Sequence, residues 1–413
     1  MDWFLCVALV AISFQGLFLV LAYRNYHFAL AKYRKKRASY RPRTALLVPC
    51  KGLDANFQKN ITSFFDQDYE DYSLWFVVAD TSDPAYDELC RLKNQLSKTS
   101  KAHDVQVLVA GPTQSCSQKI HNLLHCYQRI SEDVEVLAFA DSDICVRSDW
   151  LSHLVWPLRQ PRNGAASGYR WFIPKEDNLA SLALSAVNAK VAQLLGHSPF
   201  NQAWGGSMAI RADVFRRVGL DKIWPKAFSD DLSLSRAVKK AGMRIAFVPA
   251  CLAPSYQSST WRQLFEFGRR QFLITRISAP WAWWLALCTA LCSVLGLWAT
   301  AGLAVYAAMV GGHSAELSRS PKNLPLLIAA PIIFFTGQLS QAILRQRMIR
   351  RLLRKDLPRM KAAMAADILA FWIWSLLLLF FLVSSAFGRT VCWRGIRYKV
   401  LGPTKLIVID AQS

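Results

Sequence analysis

Apolar positions along this chain fall into two regimes, short runs in the middle and long ones toward both ends. TALLVP (44–49), SLWFVVAD (73–80), VQVLVAG (105–111) and VEVLAFAD (134–141) are short apolar runs, each followed by polar or turn residues. Helix-like stretches lie between them at Gln58–Phe65, Pro84–Lys98 and Ser117–Ile130. Near-continuous apolar strands separated by helices predict an α/β fold whose mostly parallel sheet is covered on both faces. Beyond residue 165 the pattern is less regular: GYRWFI predicts a strand, Asn178–Leu194 a helix, and SPFNQAWGGSMAI (198–210) a turn-rich loop entering another strand.

The long runs have a different reading. Residues 3–23 carry no charge, and such a stretch is long enough to cross a hydrocarbon core of roughly 30 Å. A cleaved signal peptide has an apolar part of about 7 to 15 residues behind a basic start. Here the stretch is longer and the basic residues follow it, which predicts an uncleaved anchor. Trp281–Val310, Leu324–Leu344 and Ala362–Phe387 are further candidate spans. The expected organisation is an anchor and basic linker (1–43), a catalytic-type α/β domain (44–257), a basic amphipathic helix at the membrane surface (258–280), C-terminal transmembrane or re-entrant helices (281–388), and a basic tail (389–413).

Charge fixes an expected orientation. Fifty Lys and Arg against 28 Asp and Glu give a net charge of +22, and the basic clusters hug the spans: RNYHFALAKYRKKRASYRPR after the first, RQRMIRRLLRKDLPRMK between the third and fourth. Positive loops stay cytosolic, so a multi-pass membrane protein with its N-terminus outside and its domain in the cytosol is expected. That placement assigns the charge to topology and anionic lipid, with no nucleic-acid partner. The ten cysteines form no CxxC pair and read as reduced, none of them a zinc ligand.

Open parallel sheets bind ligands beyond the carboxyl ends of their strands, where this sequence places Pro49–Gly52, Asp80 and Asp141. Asp80 either caps the next helix or accepts hydrogen bonds from a nucleotide base. Asp141 and Asp143 flank Ser142 in a D-x-D pattern; this is either a polar turn or a pair of carboxylates that hold a hard cation against a diphosphate. Asp149 reads as a helix cap before Trp150. In WGGSMAIR (204–211), Gly205 and Gly206 permit close backbone approach and Trp204 offers a flat face to a sugar. Asp230 and Asp231 in FSDDLSLSR open a helix, either as caps or as a base for an acceptor hydroxyl. Ser258–Ser278 interleaves Trp261, Leu264, Phe265 and Phe272 with Arg262, Arg269, Arg270 and Arg276, as an interfacial helix would, and its arginines could also clamp a diphosphate.

Taken in order, TALLVPCKG, VADTSDPAYD, SQKIHNL with Lys119 and Asn122, ADSDICV, the WGGSMA loop, FSDDLSLS and the tail WRGIRY (393–398) resemble membrane-bound family 2 type glycosyltransferases. The likeness is to the ceramide glucosyltransferase family and its bacterial relatives. It implies a GT-A fold and inverting transfer of a hexose, glucose foremost, from a UDP-sugar to a membrane lipid such as ceramide. It also implies Mg or Mn as divalent cation. Asp80, Lys119, Asp141, Arg270 and Gln271 would bind the donor, Asp141 and Asp143 the metal, and Asp231 would be the general base. Trp204, Gly205, Gly206 and Asp230 would face the acceptor. The family's Q/R-x-x-R-W motif is missing from FGRRQFLITR; Arg270 and Gln271 stand in for it, with Arg269 and Arg276 as competitors. Processive polysaccharide synthesis, or transfer of GlcNAc or another sugar to a phospholipid or hopanoid, are the alternatives.

The tail complicates the topology. Four full crossings from an external N-terminus would put WRGIRYKV outside, whereas Arg389, Arg394, Arg397 and Lys399 argue for inside, as does the resemblance. One segment is therefore expected to be re-entrant or to lie in the interface. Ala362–Phe387, with Asp367 near its start, is the candidate, against a plain fourth span.

Overall fold

The computed structural model describes residues 3–33, 35, 40–54, 56–310 and 324–411; the side chain of Cys6 and the rest of the basic linker lie outside the described residues. The chain opens with a long helix, α1 (Trp3–Tyr33), and then alternates strand and helix as its apolar pattern predicts. The order is β1 (Thr44–Pro49), α2 (Phe57–Phe65), β2 (Tyr72–Val78), α3 (Pro84–Leu96), β3 (Asp104–Val109), α4 (Gln118–Tyr127), β4 (Val136–Ala140) and α5 (Trp150–Val155). There follow β5 (Asn163–Ile173), α6 (Leu179–Ala192), β6 (Ser207–Arg211), the short helices α7 (Ala212–Arg217) and α8 (Leu220–Ile223), α9 (Asp230–Lys240) and β7 (Arg244–Tyr256).

The seven strands form one sheet in the order β3-β2-β1-β4-β6-β5-β7. It is mostly parallel; only β6 runs antiparallel to its neighbours β4 and β5. Because successive strand residues face opposite ways, Leu46 and Val48 join Phe64, Leu89 and Leu154 on one side, while Ala45 and Leu47 join Ile120, Leu123 and Phe215 on the other. Large side chains such as Phe76 and Phe139 are fully buried there, each stabilising the fold by about 1.5–3 kcal/mol relative to exposure.

The second half is helical. α10 (Trp261–Ser278) begins with a capping box between Thr260 and Gln263. It leads into α11 (Pro280–Val310), α12 (Leu324–Leu352), α13 (Leu357–Leu369) and α14 (Phe371–Ser385). Among the described residues, three helices are long and apolar enough to cross a membrane: Leu9–Tyr33, Pro280–Tyr306 and Ile328–Leu352. The fourth apolar segment is not one continuous rod. It breaks at Ala370, and the helices on either side meet at 84°. Arg345 of α12 reaches into the start of that segment and binds both Asp367 carboxylate oxygens at 2.5 Å, with Gln346 adding a third hydrogen bond at 2.6 Å. A carboxylate held this way satisfies the requirement that a buried charge be paired and hydrogen-bonded.

After α14 the chain builds a small antiparallel sheet that the apolar pattern does not announce: β8 (Thr390–Trp393), β9 (Ile396–Gly402) and β10 (Lys405–Ala411). Its first turn is Arg394-Gly395, with φ of 51° and 80°, the doubly left-handed geometry of a tight type I′ hairpin. Every cysteine with a described side chain is free.

Candidate functional site

β1 and β4 run side by side and point their carboxyl ends the same way. Asp141 follows β4 directly, so the sheet delivers its carboxylate to the mouth. The reversed strand supplies the next piece. β6 pairs antiparallel with β4, Ala140 opposite Ser207, so Trp204, Gly205 and Gly206 arrive beside Asp141, whose N–H donates to the Gly206 carbonyl at 3.4 Å. β5 then runs antiparallel to β6 and carries Arg170 to the same end.

These residues form a charge cluster. Lys119, on the first turn of α4, places its Nζ 2.7 Å from Asp141 Oδ1 and 3.0 Å from Asp230 Oδ2. Arg170 lies 3.4 Å from Asp141 Oδ2 and 3.7 Å from Asp143 Oδ2. Burial alone would raise the Asp141 carboxyl, but Lys119 and Arg170 outweigh it and hold it low. Asp143 goes the other way: burial raises it, Arg170 offsets only part, and Asp141 adds repulsion. Burial likewise pushes Asp230 up to about 6 against the pull of Lys119, with Asp231 and Asp141 reinforcing the rise. Lys119 itself, although burial works against its charge, is raised by Asp141 and Asp230.

Asp231 sits one residue into α9, whose N-cap is Ser229. Its Oδ1 accepts from the Ser229 hydroxyl at 2.5 Å and the Leu232 N–H at 2.7 Å, and its Oδ2 from the Gly205 N–H at 3.1 Å. Three donors fix this carboxylate, and Oδ2, with one donor against two, keeps the freer lone pair. Gly205 has to be glycine here: a Cβ would fall 2.4 Å from Asp230 Oδ2 and 2.7 Å from Lys119 Nζ.

One cavity of about 1200 Å³ unites most of these groups. Lys119, Asp141, Asp143, Trp204, Gly205, Asp230, Asp231, Arg270 and Gln271 all line it. It continues between α1, α6, α10, α11, α12 and α14, where residues such as Phe18, Leu184, Phe272 and Leu378 form its wall. Gly206 lies behind the wall, where a Cβ would meet the Trp204 ring. Asp80 is exposed, outside the lining, and accepts from the Ser82 N–H at 2.8 Å. The Arg170 guanidinium lies over the Trp204 ring at 4.8 Å, so the aromatic face expected to meet a sugar carries a cation instead.

Two cap readings change. The helix after β2 is capped by Asp83, which accepts from the Ala85 N–H, and not by Asp80. Asp149 does occupy the N-cap position of α5, but its side chain makes no cap bond and pairs with Arg147 at 2.6 Å instead. Among the arginines of α10, Arg269 donates to the Phe387 carbonyl and Arg276 to that of Gly388, so both tie α10 to the end of α14. Of the four residues weighed for the missing motif, Arg270 and Gln271 face the cavity. Burial and the nearby Arg170 lower Arg270.

Arg170 and Asp54 are cavity residues that sequence reasoning did not single out, while Arg394 entered it only as a tail charge and Lys51 only within the strand-end stretch Pro49–Gly52. Arg394 forms a fork on Asp54, while Lys51 Nζ donates to the Arg394 carbonyl at 2.6 Å. Phe228, just before α9, packs on Tyr398 and Trp393 of the tail with ring centroids 5.1 and 6.1 Å apart. The tail motif WRGIRY signalled this contact without saying what it touches.

Among the described residues, no group of three or more His, Cys, Asp or Glu is arranged as a metal site. The donor chemistry of the D-x-D pair nevertheless suits a hard divalent cation. Asp143 Oδ1 is buried without a hydrogen-bond partner, and carboxylate oxygens are what such ions bind.

The sequence matches the model described as glycosyl transferase family 21 over residues 4–406. Among solved structures, the chain is similar to the mannosyltransferase PcManGT from Pyrobaculum calidifontis in complex with GDP-Man and Mn2+, at 15% identity, covering 92% of this chain and 97% of that one with a TM-score of 0.44. It is also similar to GalNAc-T7 with UDP, GalNAc and Mn2+, at 14% identity, covering 57% and 48% with a TM-score of 0.38. The family match spans nearly the whole chain, and the chain belongs to glycosyl transferase family 21.

Proposed function

From that membership, we propose that the protein moves a hexose, glucose first, from a UDP-sugar to a membrane lipid acceptor such as ceramide, with inversion at the anomeric carbon. The observation that carries the proposal is the single cavity. Its polar end gathers Asp231, Lys119 and the arginines, and its other end opens among apolar helices. A donor diphosphate belongs at the first end and a lipid tail at the second.

In the reaction the acceptor oxygen attacks the anomeric carbon as the bond to the diphosphate breaks, and the acceptor proton passes to Asp231. Asp231 Oδ2 is the accepting atom, since Oδ1 already takes two hydrogen bonds. The diphosphate leaves with its added negative charge facing Arg170, Arg270 and Arg394, and fixed charges aimed at developing charge are a large part of catalysis. Asp141 and Asp143 would hold a Mg or Mn ion, which when bound supplies further neutralisation of the diphosphate. Lys119 keeps Asp141 and Asp230 oriented.

The contact between the tail and Asp54 supports a topology in which both lie on the same, cytosolic, side. Helices α13 and α14 would then enter and return rather than cross. Tags placed in the domain and after residue 411 are expected to be accessible from the same face of sealed vesicles; opposite faces would mean a fourth crossing. The activity is tested by incubating membranes with labelled UDP-glucose, UDP-GlcNAc and UDP-galactose and separating the products. Organic-soluble label from UDP-glucose is expected, and label confined to a water-soluble polymer would establish a polysaccharide synthase instead.

A further inference from the structure

A second polar cluster lies in the same cavity, on the helices rather than at the sheet. Lys190 of α6, Gln193, Arg345 and Ser375 all line it. Lys190 Nζ donates to the Ser375 hydroxyl at 2.9 Å, and that hydroxyl lies 3.3 Å from Gln338 Oε1. Arg345 also binds Gln193 Oε1 at 3.2 Å.

The cluster's charges do not balance. Asp367 is its carboxylate, and Arg345 and Gln346 already occupy both its oxygens. Lys190 is left with a hydroxyl as its hydrogen-bond partner. Burial, with the Arg345 guanidinium adding to it and the Asp367 carboxylate offsetting only part, lowers the Lys190 ammonium to about 7. A buried ammonium without a counter-charge is costly unless something anionic reaches it. Two more cavity groups are unmet: Gln15 Nε2, a buried donor without an acceptor, and Asn188 Oδ1, a buried acceptor without a donor. The first suits an acceptor and the second a donor on whatever enters the cavity.

We propose that Lys190, with Ser375, forms a subsite for a phosphate or carboxylate group at the helical end of the cavity. In the lipid case the anion belongs to a headgroup whose tails lie among the apolar helices; in the other it is a free ion. The lipid case rests on the reading that the cavity receives a membrane lipid. Neither residue belongs to the carboxylate and arginine cluster at the sheet, so the subsite can be removed without touching the donor end.

The test uses the full chain in a neutral detergent, with short-chain phosphatidic acid, the matching diacylglycerol and inorganic phosphate as probes in equilibrium dialysis. Saturable binding of phosphatidic acid is expected, weakened at least about tenfold in Lys190→Met, as truncation of one partner of a buried charged contact does. Lys190→Arg should retain most of it, and diacylglycerol should not distinguish the variants. Displacement by inorganic phosphate at matching concentration would assign the subsite to a free anion, and failure to displace assigns it to a headgroup. Equal affinity in wild type and Lys190→Met, or no saturable binding, overturns the proposal. Lys190→Met removes an unpaired buried charge, so its melting temperature should equal or exceed that of wild type. UDP binding is followed in parallel. A missing Lys190 effect with UDP binding intact overturns the subsite alone; missing UDP binding with the Lys190 effect intact overturns the transfer reading alone.

Discussion

Arg394 grips Asp54 through two parallel hydrogen bonds, Nη1 to Oδ1 at 2.9 Å and Nη2 to Oδ2 at 3.0 Å, joining residues 340 positions apart. The pair fixes the tail hairpin over the polar end of the cavity. Both side chains keep partial solvent access, at 41% and 23%, so the bridge contributes at most about 1 kcal/mol to stability. Its main effect should fall on the donor. Arg394→Ala is expected to weaken UDP binding about tenfold with little change in melting temperature. Arg394→Lys should recover little, because an ammonium cannot form the fork. Calorimetric titration with UDP measures both.

Replacing Asp231, the proposed base, should separate chemistry from binding. Asp231→Asn keeps the hydrogen-bonding shape and loses the proton acceptor, so turnover should fall by about 10²–10⁴ while UDP affinity stays within a factor of about two. Single-turnover transfer and UDP titration on the same preparation check this. More than a tenth of wild-type turnover in a folded Asp231→Asn protein would remove it from the base role.

Asp230 gives a stability signature with a definite sign. Burial lifts its carboxyl from the ordinary 3.8 to about 6, so the folded state binds the proton more tightly than the unfolded one. That contribution is complete below about pH 3.8 and is lost as pH rises through about 6. Asp230→Asn cannot titrate. The melting temperature of wild type minus that of Asp230→Asn should therefore fall between pH 4 and pH 7; a flat or rising difference would show that Lys119 dominates instead.

The Arg345–Asp367 pair predicts a non-additive double variant. Asp367→Leu leaves a buried guanidinium unpaired and should cost about 3–5 kcal/mol, whereas replacing both residues by apolar ones should restore most of that. Thermal unfolding in detergent of the two single variants and the Arg345→Met/Asp367→Leu double variant decides it. Additive losses would mean that the pair does not act as a unit.

The central sheet was legible because its strands are buried on both faces and so read as unbroken apolar runs. β7 was not, for a physical reason. RIAFVPACLAPSY contains Pro249 and Pro254, which argue against a strand. β7 lies at the sheet edge, and its pairing with β5 jumps register between Phe247 and Leu252, an irregularity that accommodates Pro249. Asp141 and Asp231 could be named from sequence because each lies next to an element boundary within a short motif. Arg170 could not, since only the reversal of β6 brings the end of β5 alongside Asp141. Nor could the partner of Arg394, which depends on a tail folding back across the chain. For the last apolar segment the sequence supplied Asp367, whereas the break at Ala370 has no Pro or Gly to mark it.

That break has a consequence for what happens after transfer. Under the proposed transfer to a lipid, if α13 and α14 return to the side they came from, the helical end of the cavity is reachable from the leaflet that faces the sheet, and the glycosylated lipid would be released with its sugar on that side. Display on the opposite face of the membrane would then require a separate translocating activity, and the rate of that step, not of sugar transfer, would set the asymmetry between the two leaflets.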